Sequence, residues 1–231
     1  MKASKAPPLI KICGLSTPEE AGLAASLGAS LCGFIFHPPS PRSVSAKAAA
    51  AIETPGALRV GVFVNQSVSE IDKAMALARL DLAQLHGGQG PEAAKALGPE
   101  RVIKVFWPER AKSPGEKTDL LRELDLWRPL ARWLLFDAGI SSGGHGRKLE
   151  AAFDSPAPYF LAGGLTAGDI LSSWPGAPAS LAGYDLSSSL ESSPGRKDPS
   201  AIKALFEALA PLGVGRKRPW PRKEERRPKC P

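Results

Sequence analysis

Hydrophobic and polar positions alternate along short runs, and between those runs the apolar spacing lengthens to that of a helix. Leu9-Ile10-Lys11-Ile12-Cys13 is the clearest short run. On a strand, Lys11 and Cys13 share one face while Ile10 and Ile12 share the other. The same split recurs downstream. Gln84 and His86 share a face in Leu82-Ala83-Gln84-Leu85-His86, and an acid ends the apolar run Leu134-Leu135-Phe136-Asp137. Asp185 and Ser187 share a face in Gly183-Tyr184-Asp185-Leu186-Ser187. Polar groups collected at strand ends imply parallel strands that aim their C-terminal ends at one common site.

The pattern predicts strands over residues 9–13, 31–36, 59–64, 82–86, 101–106, 131–137, 159–162 and 181–186. Thr17-Pro18-Glu19-Glu20 opens the first helix, with Thr17 as N-cap, Pro18 at the first position and Glu20 closing a capping box. Its apolar face runs Ala21, Ala24, Ala25, and Leu27-Gly28 stops it. Further helices are predicted over residues 46–52, 68–80, from Pro91, and over 117–126, 166–173 and 199–209, with one or two helical turns at 148–153. Residues 37–44, 108–115, 139–146 and 187–198 read as loops. Strand–helix alternation argues for a parallel sheet, and eight units in this length fit a single (β/α)8 TIM barrel. An open doubly wound sheet is the alternative, but no Gly-x-Gly-x-x-Gly follows the first strand. The expected organisation is a barrel catalytic domain over residues 1–212 and a Pro/Arg/Lys-rich tail over 213–231. The tail lacks apolar periodicity and is expected to be disordered.

Charge changes this picture only at the tail. The chain of 231 residues carries a net charge of +7. Eight Lys/Arg against Glu224 and Glu225 give the tail +6, leaving +1 for the body. The basicity therefore says little about the body's ligand. No apolar run approaches the roughly 18 residues of a membrane span, and the N-terminal apolar run is too short for a signal-peptide core. A cytoplasmic protein is expected. Cys13, Cys32 and Cys230 are odd in number and lack Cys-x-x-Cys spacing. Neither a disulfide framework nor a structural zinc is expected. His37 and His145 lie in loops without ligand spacing, so no metal is expected.

Candidate chemistry collects after the strands. Gly163-Gly164 leaves the seventh strand and Ser187-Ser188 the eighth, where barrels often hold phosphate on backbone N–H groups. A tight turn is the alternative for Gly163-Gly164. Cys13 and Asp137 each end a strand, and an acid beside a thiol can divide proton donation from proton removal. A thiol with a reference pKa near ~8.5 needs a positive field to act as a base near neutrality. Lys11 is placed to supply that field, with Asp185 as its candidate counter-ion inside the barrel. The alternatives are a small buried hydrophobe for Cys13, as for Cys32, and a loop or helix cap for Asp137. Arg42, in Ser40-Pro41-Arg42, is stiffened by proline and suited to grip a carboxylate through two parallel hydrogen bonds. A solvated loop arginine is the alternative. His86 is a candidate substrate-binding residue or a satisfied rim histidine.

Several motifs in order carry a resemblance. They are Lys11-Ile12-Cys13-Gly14, Gly33-Phe34-Ile35-Phe36 with Ser40-Pro41-Arg42, Val60-Gly61-Val62-Phe63-Val64-Asn65 and Gln84-Leu85-His86-Gly87. Phe136-Asp137 with Gly143-Gly144 and Leu161-Ala162-Gly163-Gly164-Leu165 follow. Asp185-Leu186-Ser187-Ser188 with Glu191, Pro194-Gly195 and Lys197-Asp198 completes the series. Together they resemble the phosphoribosylanthranilate isomerase family from Leu9 to about Leu209. The resemblance implies a cofactor-free and metal-free Amadori rearrangement in tryptophan biosynthesis. It implies Asp137 as general acid and Cys13 as general base. It implies Arg42 on the anthranilate carboxylate and Gly163, Gly164, Ser187 and Ser188 on the phosphate; His86 and Asp185, read from their strand-end positions, are the further candidate substrate-binding residues.

Two departures lie near the substrate. Gly143-Gly144-His145-Gly146 followed by Leu149-Glu150-Ala151 replaces the family's Gly-Gly-Thr-Gly and Phe-Asp-Trp, and Ser189 replaces a glycine. A glycine needed there for positive φ or for close approach of the phosphate would make Ser189 costly. A monofunctional enzyme, as monomer or homodimer acting on a phosphosugar, is expected. The competing readings are another phosphosugar isomerase, epimerase or synthase, and a non-catalytic barrel whose basic tail binds an acidic partner. Trp220 in that tail is placed to stack on a base, but nucleic acid is not the expected partner.

Overall fold

A computed structural model of the protein describes residues 6–138 and 155–215. The loop expected at 139–146 with His145, the helical turns expected at 148–153, and the tail beyond Gly215 lie outside the described residues. Eight parallel strands close a barrel in chain order. They are β1 (Leu9–Cys13), β2 (Leu31–Ile35), β3 (Leu58–Phe63), β4 (Leu82–Leu85), β5 (Val102–Phe106), β6 (Trp133–Asp137), β7 (Tyr159–Ala162) and β8 (Leu181–Leu186). Closure is made by β1, which pairs with β2 through Cys13↔Gly33 and with β8 through Lys11↔Asp185. Among the described residues no helix is long and apolar enough to cross a membrane.

Side-chain alternation divides the interior into two layers. Leu31, Val60, Leu82, Ile103, Val105, Trp133, Leu135 and Phe160 fill the barrel axis. Ile10, Ile12, Phe34, Phe63, Phe136 and Tyr184 face outward, into the layer that packs the helices. The helices are α1 (Pro18–Leu27), α2 (Ala46–Ala51), α3 (Val68–Leu77), α4 (Pro91–Leu97), α5 (Pro114–Trp127), α6 (Ala167–Ser173) and α7 (Pro199–Leu209). The predicted capping box at Thr17 and Glu20 is present, and Gly28 ends α1 at φ 106°. Each satisfies backbone groups that the helix itself leaves open.

Several boundaries differ from the sequence reading. The helix expected over 117–126 starts at Pro114, because Ser113 caps it and the Glu116 carboxylate returns to the Ser113 N–H. Residues 108–110 of the expected loop form a 3-10 turn. Residues 187–198 are not a plain loop. A 3-10 turn over Ser188–Leu190 leads into the antiparallel hairpin β9 (Glu191–Ser193) and β10 (Arg196–Lys197). Strands of three and two residues carry too few positions to show a period.

Candidate active site

The C-terminal rim of β1 and its neighbours assembles a charged centre inside an apolar barrel. Lys11 is fully buried and its Nζ donates to Asp185 Oδ2 at 2.7 Å. The counter-ion expected for Lys11 is thus in place. Gly33 makes the room, since a Cβ there would lie 3.0 Å from Cys13 Sγ and 3.3 Å from Lys11 Nζ. Both groups therefore crowd the same small space over β2. Burial pushes the Cys13 thiol up, and the Lys11 cation pulls it down without prevailing. The field anticipated from Lys11 is present, but desolvation outweighs it. Burial likewise raises Asp185. For Lys11 burial acts downward, and the charges of Asp185 and Cys13 carry it above its ordinary value. Asp185 Oδ1 and Gln84 Oε1 are buried without a hydrogen-bond partner among the described residues.

Arg42 reaches the same rim from the loop after β2. A Cβ at Gly14 would lie 2.7 Å from Arg42 Cδ, so the arginine stem runs across Gly14, next to Cys13 in the chain. Gly14 has φ 76°, which also favours glycine. The guanidinium is held by two parallel bonds, Nε to Glu191 Oε1 and Nη2 to Glu191 Oε2, each 2.7 Å. Glu191 also accepts from Lys197 Nζ at 2.7 Å. Lys197 Nζ donates further to Ser187 O at 3.1 Å and Oγ at 3.3 Å, while its backbone N–H donates to Glu20 Oε1 at 2.8 Å. Burial alone would raise Glu191, but Arg42 and Lys197 hold it at about 2. Sequence reasoning missed these partners as working parts. The sequence placed Glu191 and Lys197 in the motif series, but nothing local joined them to a residue some 150 positions earlier.

The remaining candidates occupy neighbouring strands. Asp137 ends β6 on the face of Trp133 and Leu135, and pairs in register with Ala162. Its charge acts on both His86 and Asp185, as a group facing the barrel axis must. His86 follows β4, 3.4 Å from Gln84 through Nδ1, and meets the Trp107 ring edge to face at 5.2 Å. Burial lowers its pKa, which favours the neutral imidazole. Trp107 was overlooked, although the alternation Ile103, Val105, Trp107 points it inward. Gly163 and Gly164 follow β7 with φ 106° and 64°. A Cβ on Gly163 would lie 2.8 Å from Ala138 Cβ. The Ser187 hydroxyl donates to Cys13 O at 3.1 Å, so it ties the ends of β1 and β8 together. Arg79 is the one non-glycine residue with positive φ among those described, so Ser189 does not occupy a glycine conformation. The penalty foreseen for Ser189 on that ground is therefore absent.

The profile of the N-(5'phosphoribosyl)anthranilate (PRA) isomerase family matches residues 10–208. The chain belongs to the phosphoribosylanthranilate isomerase family. N-(5'-phosphoribosyl)anthranilate isomerase of Maridesulfovibrio salexigens is 44% identical over 205 residues, 87% of this chain and 98% of that one. The phosphoribosyl anthranilate isomerase of Thermus thermophilus superposes with a TM-score of 0.71 at 33% identity, covering 88% of this chain and 99% of that one. A phosphoribosyl anthranilate isomerase in complex with reduced 1-(o-carboxyphenylamino)-1-deoxyribulose 5-phosphate gives a TM-score of 0.72 at 27% identity, with 88% and 99% coverage. Within this isomerase family, the rim just described is the C-terminal face of the barrel, where (β/α)8 enzymes carry their sites.

Proposed function

We propose that the protein isomerises N-(5'-phosphoribosyl)anthranilate to 1-(2-carboxyphenylamino)-1-deoxyribulose 5-phosphate, a step of tryptophan biosynthesis. The observation that carries this reading is that the Arg42 stem crosses Gly14, next to Cys13 in the chain, close enough for the charge at Cys13 to act on the guanidinium. A proton acceptor and a carboxylate clamp then stand side by side at one rim. In this reading the Arg42 guanidinium grips the anthranilate carboxylate. Backbone N–H groups at Gly163, Gly164, Ser187 and Ser188 hold the phosphate, in the loops where barrels commonly do so. His86 and Asp185 belong to the substrate's surroundings, Asp185 chiefly by fixing Lys11 beneath the thiol.

The chemistry needs one acid and one base. Asp137 protonates the furanose oxygen, and the ring opens to a Schiff base. Cys13 then removes the proton from the sugar C2, which gives an enolamine. The enolamine ketonises to product, so electrons move within the substrate and no external oxidant or reductant is consumed. The raised thiol makes Cys13 a strong base once ionised, and the nearby Lys11 cation favours that ionised form.

Freshly prepared phosphoribosylanthranilate tests the proposal through loss of anthranilate fluorescence. Wild-type turnover is expected, with ring opening abolished in Asp137→Asn and proton removal slowed strongly in Cys13→Ser, whose alkoxide is far harder to form. Arg42→Ala should act mainly on KM. A folded wild type without turnover would overturn the proposal. Near-normal kcat in Cys13→Ser would remove the thiol from the base role.

A further inference from the structure

Two cations and one carboxylate share the rim beyond Cys13, and the three divide their hydrogen bonds unequally. Lys197 directs its ammonium at Ser187 O, Ser187 Oγ and Glu191 Oε1, which accounts for all three of its N–H groups. Arg42 gives Glu191 only its Nε–Nη2 edge. Its Nη1–Nη2 edge makes no hydrogen bond to a described residue. A guanidinium has five donors in a rigid plane, so fixing one edge fixes the direction of the other. We propose that Glu191 is a positioning residue for Arg42, presenting the free edge of the guanidinium to the substrate carboxylate. This inference rests on the reading of Arg42 as the carboxylate clamp.

Charge supports the assignment. Arg42 and Lys197 together carry two positive charges and Glu191 one negative charge, so one positive charge remains to be matched by a single carboxylate. Without Glu191 the two cations would repel, and the long arginine side chain would be free to turn into solvent. Holding it beforehand removes the ordering penalty from the binding step. The framework around Glu191 is built for rigidity. Its side chain is 4% exposed. The backbone of Lys197 on β10 is fixed by Glu20 of α1. Gly195, with φ 85°, lies so close to the Pro41 carbonyl that a Cβ would strike it. The hairpin β9–β10 is thereby pressed against the loop that carries Arg42. The hairpin that a loop assignment hid is the mount for the clamp.

The test compares two reduced amino-deoxyribitol 5-phosphates as inhibitors, one bearing a 2-carboxyphenyl group and the other a phenyl group. Wild type, Glu191→Gln, Arg42→Ala and the double variant are measured, with kcat and KM for phosphoribosylanthranilate alongside. Glu191→Gln is expected to weaken the carboxylated inhibitor about tenfold, and to raise KM similarly with kcat little changed. The phenyl inhibitor should bind unchanged, and the double variant should be no worse than Arg42→Ala. Equal loss for both inhibitors would overturn the proposal, because the effect would then not pass through the carboxylate. So would tighter binding of the carboxylated inhibitor, which would make Glu191 a competitor for the guanidinium. Should Arg42→Ala leave the preference for the carboxylate intact, the clamp itself is refuted, an outcome read without reference to Glu191. If Glu191→Gln does not fold, Glu191→Asp keeps the charge but shortens the reach, and should show the same selective loss to a smaller degree.

Discussion

In the proposed mechanism the buried charge of Lys11 serves both stability and chemistry. An ammonium in the barrel interior is stabilised against desolvation by Asp185, 2.7 Å away, and by Cys13. Removing either partner strands the other in a medium that cannot solvate it. Lys11→Met or Asp185→Leu is expected to cost about 3–5 kcal/mol, whereas the double variant should cost far less than the sum. Urea unfolding of the four proteins measures the coupling. The same pair should also set the pH dependence of turnover. Asp185 acts upward on the Cys13 thiol, and Lys11 acts downward. A thiol base works when deprotonated, so kcat/KM should rise with pH through an alkaline limb. Asp185→Asn removes a negative charge and leaves the cation unopposed. Its limb should move to lower pH, and a shift to higher pH would contradict this account.

In the proposed function the elements after β7 and β8 hold the phosphate. Gly163 and Gly164 both have positive φ, but they differ in surroundings. A methyl group on Gly163 would meet Ala138, whereas none would meet anything near Gly164. Gly164→Ala should therefore cost only the left-handed backbone penalty, about 1–2 kcal/mol. Gly163→Ala should exceed it through overpacking, by roughly 1–3 kcal/mol more, and should raise KM as the loop shifts. Denaturant melts with and without inorganic phosphate separate the two effects. Legibility at this scale followed the length of the signal. Five- and six-residue strands showed the alternation, and the Thr17-Pro18-Glu19-Glu20 cap marked α1 to the residue. The related Ser113-Pro114-Gly115-Glu116 cap was equally readable in principle, yet the polar first turn of α5 hid it. Cys13, Asp137 and the Lys11–Asp185 pair were visible because strand alternation puts them on one face. The Arg42–Glu191–Lys197 cluster was not, because its members come together only when the barrel closes.

Closure joins the two ends of the chain through charge as well as through the sheet. Lys11 pairs with Asp185 and Arg42 with Glu191, while the Glu20 carboxylate accepts from the Lys197 backbone N–H, each contact spanning about 150 positions or more. All three lie along the seam where β1 meets β8 and the hairpin behind it. Seam contacts form late in the chain's order, so they report on the whole barrel rather than on one unit. Their acid sensitivity follows from Glu191. Its carboxyl is held at about 2 against an ordinary value of 4.5. A depressed acid contributes stability that is fully present above its unfolded value and is lost as pH falls through its folded value. The window for this group therefore runs from about pH 4.5 down to about 2. The contribution above that window is of order 3 kcal/mol. Unfolding free energy measured across it should fall with a slope that Glu191→Gln flattens, since the amide cannot titrate. At neutral pH the variant should already have lost most of that increment, and the two curves should converge toward pH 2. Parallel curves throughout would mean that the seam is held by strand pairing alone, with the ion pairs serving only to aim the side chains.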